Sequence, residues 1–368
     1  MVRFAGVSAL ALSVAAGGAL AEVPRVAVDV APVHSLVARV MQGVGEPDLV
    51  LPATASPHAH SLRPSEARAL EAADLVVWIG PELTPWMADA IDRLAGDAPG
   101  LKLLEVEGAI RRETRTGARF GAHEHGGDDH HDDPAHDEHH DDHADDEHHD
   151  DHAHDEHHDD HAHDDHHDEH ADGEHHDEHA HDDHHDDHAH DDAHGHAHEG
   201  IDPHAWLDPV NAGIWMADIA EALSELDPGN AAAYRANARA GRAEIDALIA
   251  EVEGRMAPLR GRPFIVFHDA YQYFEARFGL EAAGAISVSD ASEPGPARVA
   301  EIRDLVAELG AGCVFAEPQF NRGMVDAVFE GSGATIGVID PVGAELTPGP
   351  GFYPALIRGM ADSFEACF

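Results

Sequence analysis

Residues 73–83 read ADLVVWIGPEL. The centre, LVVWI at 75–79, is an unbroken apolar run between Asp74 and the Gly80-Pro81 turn signal. A run of that length without polar alternation predicts a strand buried on both faces, as in parallel sheets covered by helices. The flanks agree. Residues 64–73 have helical character, with Ser61 before them and Glu66 in the first turn, and residues 83–94 read as another helix. Further upstream, 25–30 and 48–51 read as short strands with a helix at 32–41 between them, and downstream 101–106 reads as a fourth strand. This βαβα alternation predicts a parallel sheet between helices.

A second series follows the same rule. Strands are expected at 263–267 (PFIVF), 280–286, 313–316 and 335–339, and helices at 271–278, 297–309, 322–329 and 353–366. Between the two series, Ile245, Leu248, Ile249, Val252, Met256 and Leu259 form an i, i+3, i+4, i+7 stripe. Asp227 suits an N-cap and Pro228 a first helical residue. A helix over 228–259 would run about 45–50 Å at 1.5 Å per residue; two shorter helices broken near Gly241 are the alternative. The expected fold class is α/β, with two α/β lobes of parallel sheet joined by one long rigid α-helix. Its expected divisions are an N-terminal lobe at 22–226, the linking helix at 227–260 and a C-terminal lobe at 261–368. Sites in open α/β sheets lie at the carboxyl ends of strands, which here would face a cleft between the lobes.

The chain begins with Arg3, an apolar or small-residue run over 5–16, and Ala19-Leu20-Ala21. This reads as a signal peptide, residues 1–21, cleaved near Ala21. The run is shorter than the ~20 residues a bilayer span needs. An exported protein is expected, in the periplasm. Two cysteines, Cys313 and Cys367, can pair in such a compartment or stay as two buried thiols.

The formal net charge is −50. Residues 123–198 hold 32 acids, 30 of the 35 histidines and no Lys or Arg; outside them, 40 acids face 22 bases. Both parts would repel phosphate backbones, so nucleic acid is not an expected partner. Within this tract, His-His pairs recur every nine residues, at His130–His131, His139–His140, His148–His149, His157–His158, His166–His167, His175–His176 and His184–His185. The units carry no apolar residue larger than alanine, so stacking them would bury nothing. A disordered insert in the N-terminal lobe is expected. Imidazoles and carboxylates side by side suit weak, multiple, exchangeable binding of divalent metal, and these pairs are the accessory sites. Such a tract does not select one metal.

The remaining histidines are His34, His58, His60, His204 and His268. His58 and His60 lie in ATASPHAHSLRPSE between a strand and a helix, His204 in DPHAWLDP, and His268 directly after the strand PFIVF. Each is at a loop position where a cleft would form. With SLRPSEARALEAADLVVWIGPEL (61–83), H-x-W-L-x-P (204–209), FHDAYQYFEARFGL (267–280), CVFAEPQF (313–320) and IDPVG (339–343) in order, the chain resembles the zinc-uptake solute-binding proteins of bacterial ABC transporters, the ZnuA type. The resemblance covers nearly the whole chain after residue 21, including a His/Asp-rich insert at the same place. It implies two lobes joined by a long helix, with one Zn²⁺ between them. It places the ligand histidines at His58, three residues before S-L-R-P, at His204 and at His268. It makes Asp340 a candidate fourth ligand, with a water or a tract side chain as alternatives. It also pairs Cys313 with Cys367. Manganese-binding relatives carry a carboxylate at the third position, so histidine there favours zinc. Some relatives have a Glu just before the first ligand, where this chain has Pro57. His60 occupies a position often aromatic in relatives and is a weaker ligand candidate; His34 is expected at the surface or behind the site.

The function this implies is periplasmic high-affinity zinc capture and delivery to an ABC transporter permease in the inner membrane, by a monomer without catalysis. Periplasmic metal donors are further candidate partners. A zinc hydrolase is the rival class, since three histidines and a water also describe a catalytic centre. However, the chain has no H-E-x-x-H or G-x-S-x-G motif, and only Glu317 and Asp269 offer themselves as bases. A metal buffer without a transporter is the second rival.

Overall fold

The computed structural model describes residues 23–116, 119–120, 200–287, 295–318, 325–326 and 329–368. The leader expected at 1–21, the repeat tract with the histidines expected as accessory sites, and most of the helix expected at 322–329 lie outside the described residues. Near the N-terminus, β1 (Val26–Val28), β2 (Asp48–Leu49), β3 (Leu75–Trp78) and β4 (Gly100–Lys102) form a sheet in the order β2-β1-β3-β4, every pair parallel. α1 (Ala31–Val40), α2 (Pro64–Glu71) and α3 (Pro85–Leu94) connect them. The second sheet repeats the scheme with β5 (Phe264–His268), β6 (Ala282–Ser287), β7 (Cys313–Ala316) and β8 (Thr335–Val338), ordered β6-β5-β7-β8 and again parallel. α6 (Gln272–Phe278), α7 (Pro296–Leu309) and α8 (Phe352–Cys367) accompany it.

Strand alternation sends side chains to opposite faces, and both faces of each sheet are covered. Val26, Val28, Leu75 and Val77 of the first sheet enter the same core as Phe264, Val266, Cys313 and Phe315 of the second. Ala27, Val76 and Trp78 face α2 and α3, and Ile265, Phe267, Val314 and Ala316 face α7. The shared core forms around α4 (Pro209–Leu226), α5 (Ala231–Met256) and α8. α5 packs against α1 of the first lobe and against α8 and α6 of the second; this is the long helix that joins the lobes. It is unbroken at Gly241, where an added Cβ would lie 2.5 Å from Met216 Sδ on α4. The glycine thus lets two long helices approach closely.

Two local expectations are corrected. The linking helix starts at Ala231 with Asn230 as N-cap, not at Pro228. Asp227 instead ends α4, and its carboxylate accepts from Asn230 Nδ2 (2.7 Å) and Tyr234 Oη (2.9 Å), making the turn between the two helices. α4 itself carries no single apolar stripe. It is buried on most sides, at Asn211, Ala212, Gly213, Trp215, Met216, Ile219, Ala220 and Leu223, which removes the periodic signal. Finally, the strand expected at 101–106 ends at Lys102, and Leu103–Glu105 make a 3₁₀ turn that buries Leu103 and Leu104. Cys313 and Cys367 are joined in a disulfide with Cα atoms 5.8 Å apart, tying β7 to the end of α8.

Candidate metal centre

The C-terminal sheet changes winding direction between β5 and β7, the place where open α/β sheets put their ligands. His268 is the last residue of β5, and Glu317 follows β7 directly. His58 arrives from the loop after β2, and His204 from the segment leading into α4. One donor atom from each imidazole lies within 4.8 Å of the other two, the one such group of three among the described residues. His204 Nε2 is 3.2 Å from His58 Nε2 and 3.4 Å from His268 Nε2. In a tetrahedral site with bonds of about 2.0–2.1 Å, ligand atoms stand about 3.3–3.4 Å apart. The two separations from His204 match that spacing, and the three nitrogens converge on a point where they could share an ion.

Buried carboxylates aim two of these rings. His204 Nδ1 donates to Asp202 Oδ1 at 2.8 Å, and the His204 backbone N–H donates to the same oxygen at 3.0 Å. His268 Nδ1 donates to Glu317 Oε1 at 2.6 Å. With Nδ1 carrying the proton, each Nε2 presents its lone pair to the shared point, the usual construction behind metal-ligating histidines. Desolvation pushes the Asp202 carboxyl up to about 7, against the backbone N–H of His204 and the charge of Arg115. A dication at the imidazoles would favour its ionised form.

The His58 loop is braced from outside. Trp86 Nε1 donates to the Pro57 carbonyl at 2.8 Å, and the Trp86 ring lies edge-on to His60 with centroids 5.2 Å apart. His60 Nε2 contacts Glu66 Oε2 at 2.8 Å, and Glu66 also accepts from the Arg63 backbone at the start of α2. His60 thus belongs to the brace and stands outside the three-histidine group. His34 is buried rather than at the surface, with Nε2 bonded to the Pro47 carbonyl at 3.0 Å. The segment carrying His204 is fastened to the second lobe. Trp206 Nε1 donates to Pro341 O, Tyr353 Oη donates to Trp206 O, and Arg277 forks onto Asp208 at 2.7 and 2.8 Å.

Asp340 shapes its own loop. Its Oδ1 accepts from Val342 N and Gly343 N, and its Oδ2 from Ala344 N at 2.6 Å. Three backbone donors hold the carboxylate to its own loop, and Asp340 does not belong to the three-histidine group. What this loop brings to the site is apolar: Pro341 and Val342 line the cavity with Ala55, Pro57 and Trp206. The cavity measures about 10 Å³, room for about one water-sized occupant. The sequence reading missed Asp202 as a positioning group, although the spacing D-x-H that lets one carboxylate reach both the backbone and the ring of His204 was visible in DPHAW.

Two covered parallel sheets, a long joining helix and an ion-sized pocket at a strand switch point define a two-lobed α/β solute-binding protein for a metal ion. The same fold is seen in the periplasmic zinc-binding protein TroA from Treponema pallidum, with a TM-score of 0.63 at 17% identity over 94% of this chain and 98% of that one. The family of periplasmic zinc-uptake complex component A, ZnuA, matches residues 26–367, and the chain belongs to it. It is 43% identical over 362 residues to the high-affinity zinc uptake system protein ZnuA of Paracoccus denitrificans, covering 98% of this chain and 97% of that protein. It is equally identical over 342 residues to the protein of that name from Brucella abortus (strain 2308), covering 93% and 91%.

Proposed function

We propose that this protein captures Zn²⁺ in the periplasm with His58, His204 and His268 and hands it to an ABC permease. The observation that carries the reading is the convergence of three imidazole nitrogens within 4.8 Å of one another, two of the rings aimed by buried carboxylates. A water completes the coordination in place of Asp340. Residues 1–21 act as the export leader, 22–226 and 261–368 as the lobes, and 227–260 as the connection between them. The tract at 123–198 gathers further zinc weakly.

Catalysis is not part of this function. The cavity beside the three histidines measures about 10 Å³. Both bases that a hydrolase would need are engaged, Glu317 by His268 and Asp269 by Arg115. Delivery follows from differential affinity: docking must favour an arrangement in which the three nitrogens no longer converge. Calorimetric zinc titration of tract-deleted protein tests the site. One tight site, lost in the triple variant His58→Ala/His204→Ala/His268→Ala, is expected. Absence of tight binding, or its survival in the triple variant, would refute the assignment.

A further inference from the structure

We propose that Arg115 is a positioning residue of the metal centre, through which the root of the histidine-rich insert is built into the site. Arg115 lies eight residues before the tract. Its guanidinium reaches the second lobe and forks onto two carboxylates. Nε contacts both oxygens of Asp269 at 3.0 Å, while Nη1 and Nη2 donate to Glu275 at 2.8 and 2.9 Å. Both carboxylates are almost wholly buried, with side chains 6% and 4% exposed. The guanidinium also lies over the Phe120 ring, 4.2 Å from its centre. Asp269 is the residue after His268, so pinning its carboxylate pins the turn on which His268 leaves β5.

The other root of the insert is tied to the same strap. Asp202 N donates to Arg112 O at 2.8 Å and Thr114 N to Gly200 O at 2.9 Å, flanking an antiparallel bridge between Glu113 and Ile201. α6 fastens both roots. Tyr273 Oη donates to Asp202 O and accepts from Arg112 N, and Gln272 Nε2 donates to Glu113 O and Asp202 Oδ2. The strap that carries Arg115 therefore holds the backbone of Asp202, whose carboxylate aims His204, and Arg115 itself holds the turn that carries His268. Two of the three imidazoles are preorganised from the insert's neck.

A preorganised site releases its ion slowly, because the ligands do not swing away once a bond breaks. The coupling is also reciprocal: a filled site must order the neck by as much as the neck tightens the site. The proposal rests on the zinc-site reading. Its test uses the full chain and follows zinc release into a chelator, with tract zinc leaving in the fast phase and site zinc in the slow phase. The Co²⁺ absorption spectrum and the apo-protein Tm are measured alongside. Arg115→Gln is expected to speed the slow phase about tenfold or more, in the range found for residues behind metal ligands, and to shift the Co²⁺ bands. Arg115→Lys keeps the charge without the fork and should fall between. Arg255→Gln, which breaks an ion pair with Asp362 and Glu365 between α5 and α8, should leave both readouts unchanged. Wild-type release and spectrum in folded Arg115→Gln would overturn the proposal, as would equal acceleration in Arg255→Gln at equal loss of Tm. If Arg115→Gln does not fold, Tyr273→Phe carries the test, and a lowered Tm with unchanged slow phase overturns it. A wild-type protein with no slow phase would overturn the zinc site itself; a slow phase indifferent to Arg115 and Tyr273 overturns only this proposal.

Discussion

Glu317 shows how much of a metal site lies in residues that do not touch the metal. It is 4% exposed and bonded to His268 Nδ1 at 2.6 Å. Replacing it by Ala frees the ring to turn and to change tautomer, and should weaken zinc binding by about 10–100-fold. Competitive titration of the variant checks this; unchanged affinity would mean that packing alone holds the ring. Asp29 makes a different demand on its surroundings. It is fully buried after β1 and accepts from Val30 N and Ile79 N, both at 2.7 Å, yet burial pushes its carboxyl up to about 7. The folded state then binds a proton that the unfolded state releases near pH ~3.9. Its contribution to stability is complete below that value and is lost as pH rises to about 7, at no more than about 1.4 kcal/mol per pH unit. Asp29→Asn cannot titrate, so its stability relative to wild type should rise across this window. Urea unfolding at pH 5 and pH 7.5 gives the comparison, and an identical difference at both would contradict it.

Among the elements, β7 separates stability from binding along its own length. The disulfide from Cys313 to α8 holds its first residue, and Glu317 stands just past its last, roughly 13 Å away at 3.3 Å per residue. Loss of the disulfide in Cys313→Ala/Cys367→Ala should cost about 2–5 kcal/mol, while zinc affinity of the folded protein stays as in wild type. A thermal melt beside a zinc titration checks both halves. The elements also show where a sequence is easy to read. The run LVVWI supplied β3, Leu75–Trp78, because a strand buried on both faces leaves an unbroken apolar run. PFIVF became β5 for the same reason. α4 escaped because a helix buried nearly all round has no stripe, and the start of α5 slipped because Asp227 caps a turn whose partner, Tyr234, lies a helical turn into the next element.

At the scale of the whole molecule, His58, His204 and His268 come together from segments far apart in the chain, and imidazole ligates a metal only in its neutral form. Zinc loading of the full chain should fall as pH drops through about 6, with the weak tract sites emptying along with the central one. Metal analysis after dialysis at pH 7.5 and pH 5 measures it. Full retention at pH 5 would contradict ligation by histidine.

The sequence by itself determined the two α/β halves, the long helix between them and the three isolated histidines. Each rests on a local signal: unbroken apolar runs, a period near 3.6, and histidines at strand ends in a family's motif order. Only the tertiary structure decided what surrounds those histidines. It turned Asp340 inward onto three backbone N–H groups, withdrew His60 to Glu66, and brought Asp202, Glu317 and Arg115 behind the site. Hydrogen bonds of a buried carboxylate go to whichever donors the fold brings within about 3 Å. For Glu317 that donor is 49 residues away and for Arg115 the acceptor is 154 away, distances over which a local pattern carries no information.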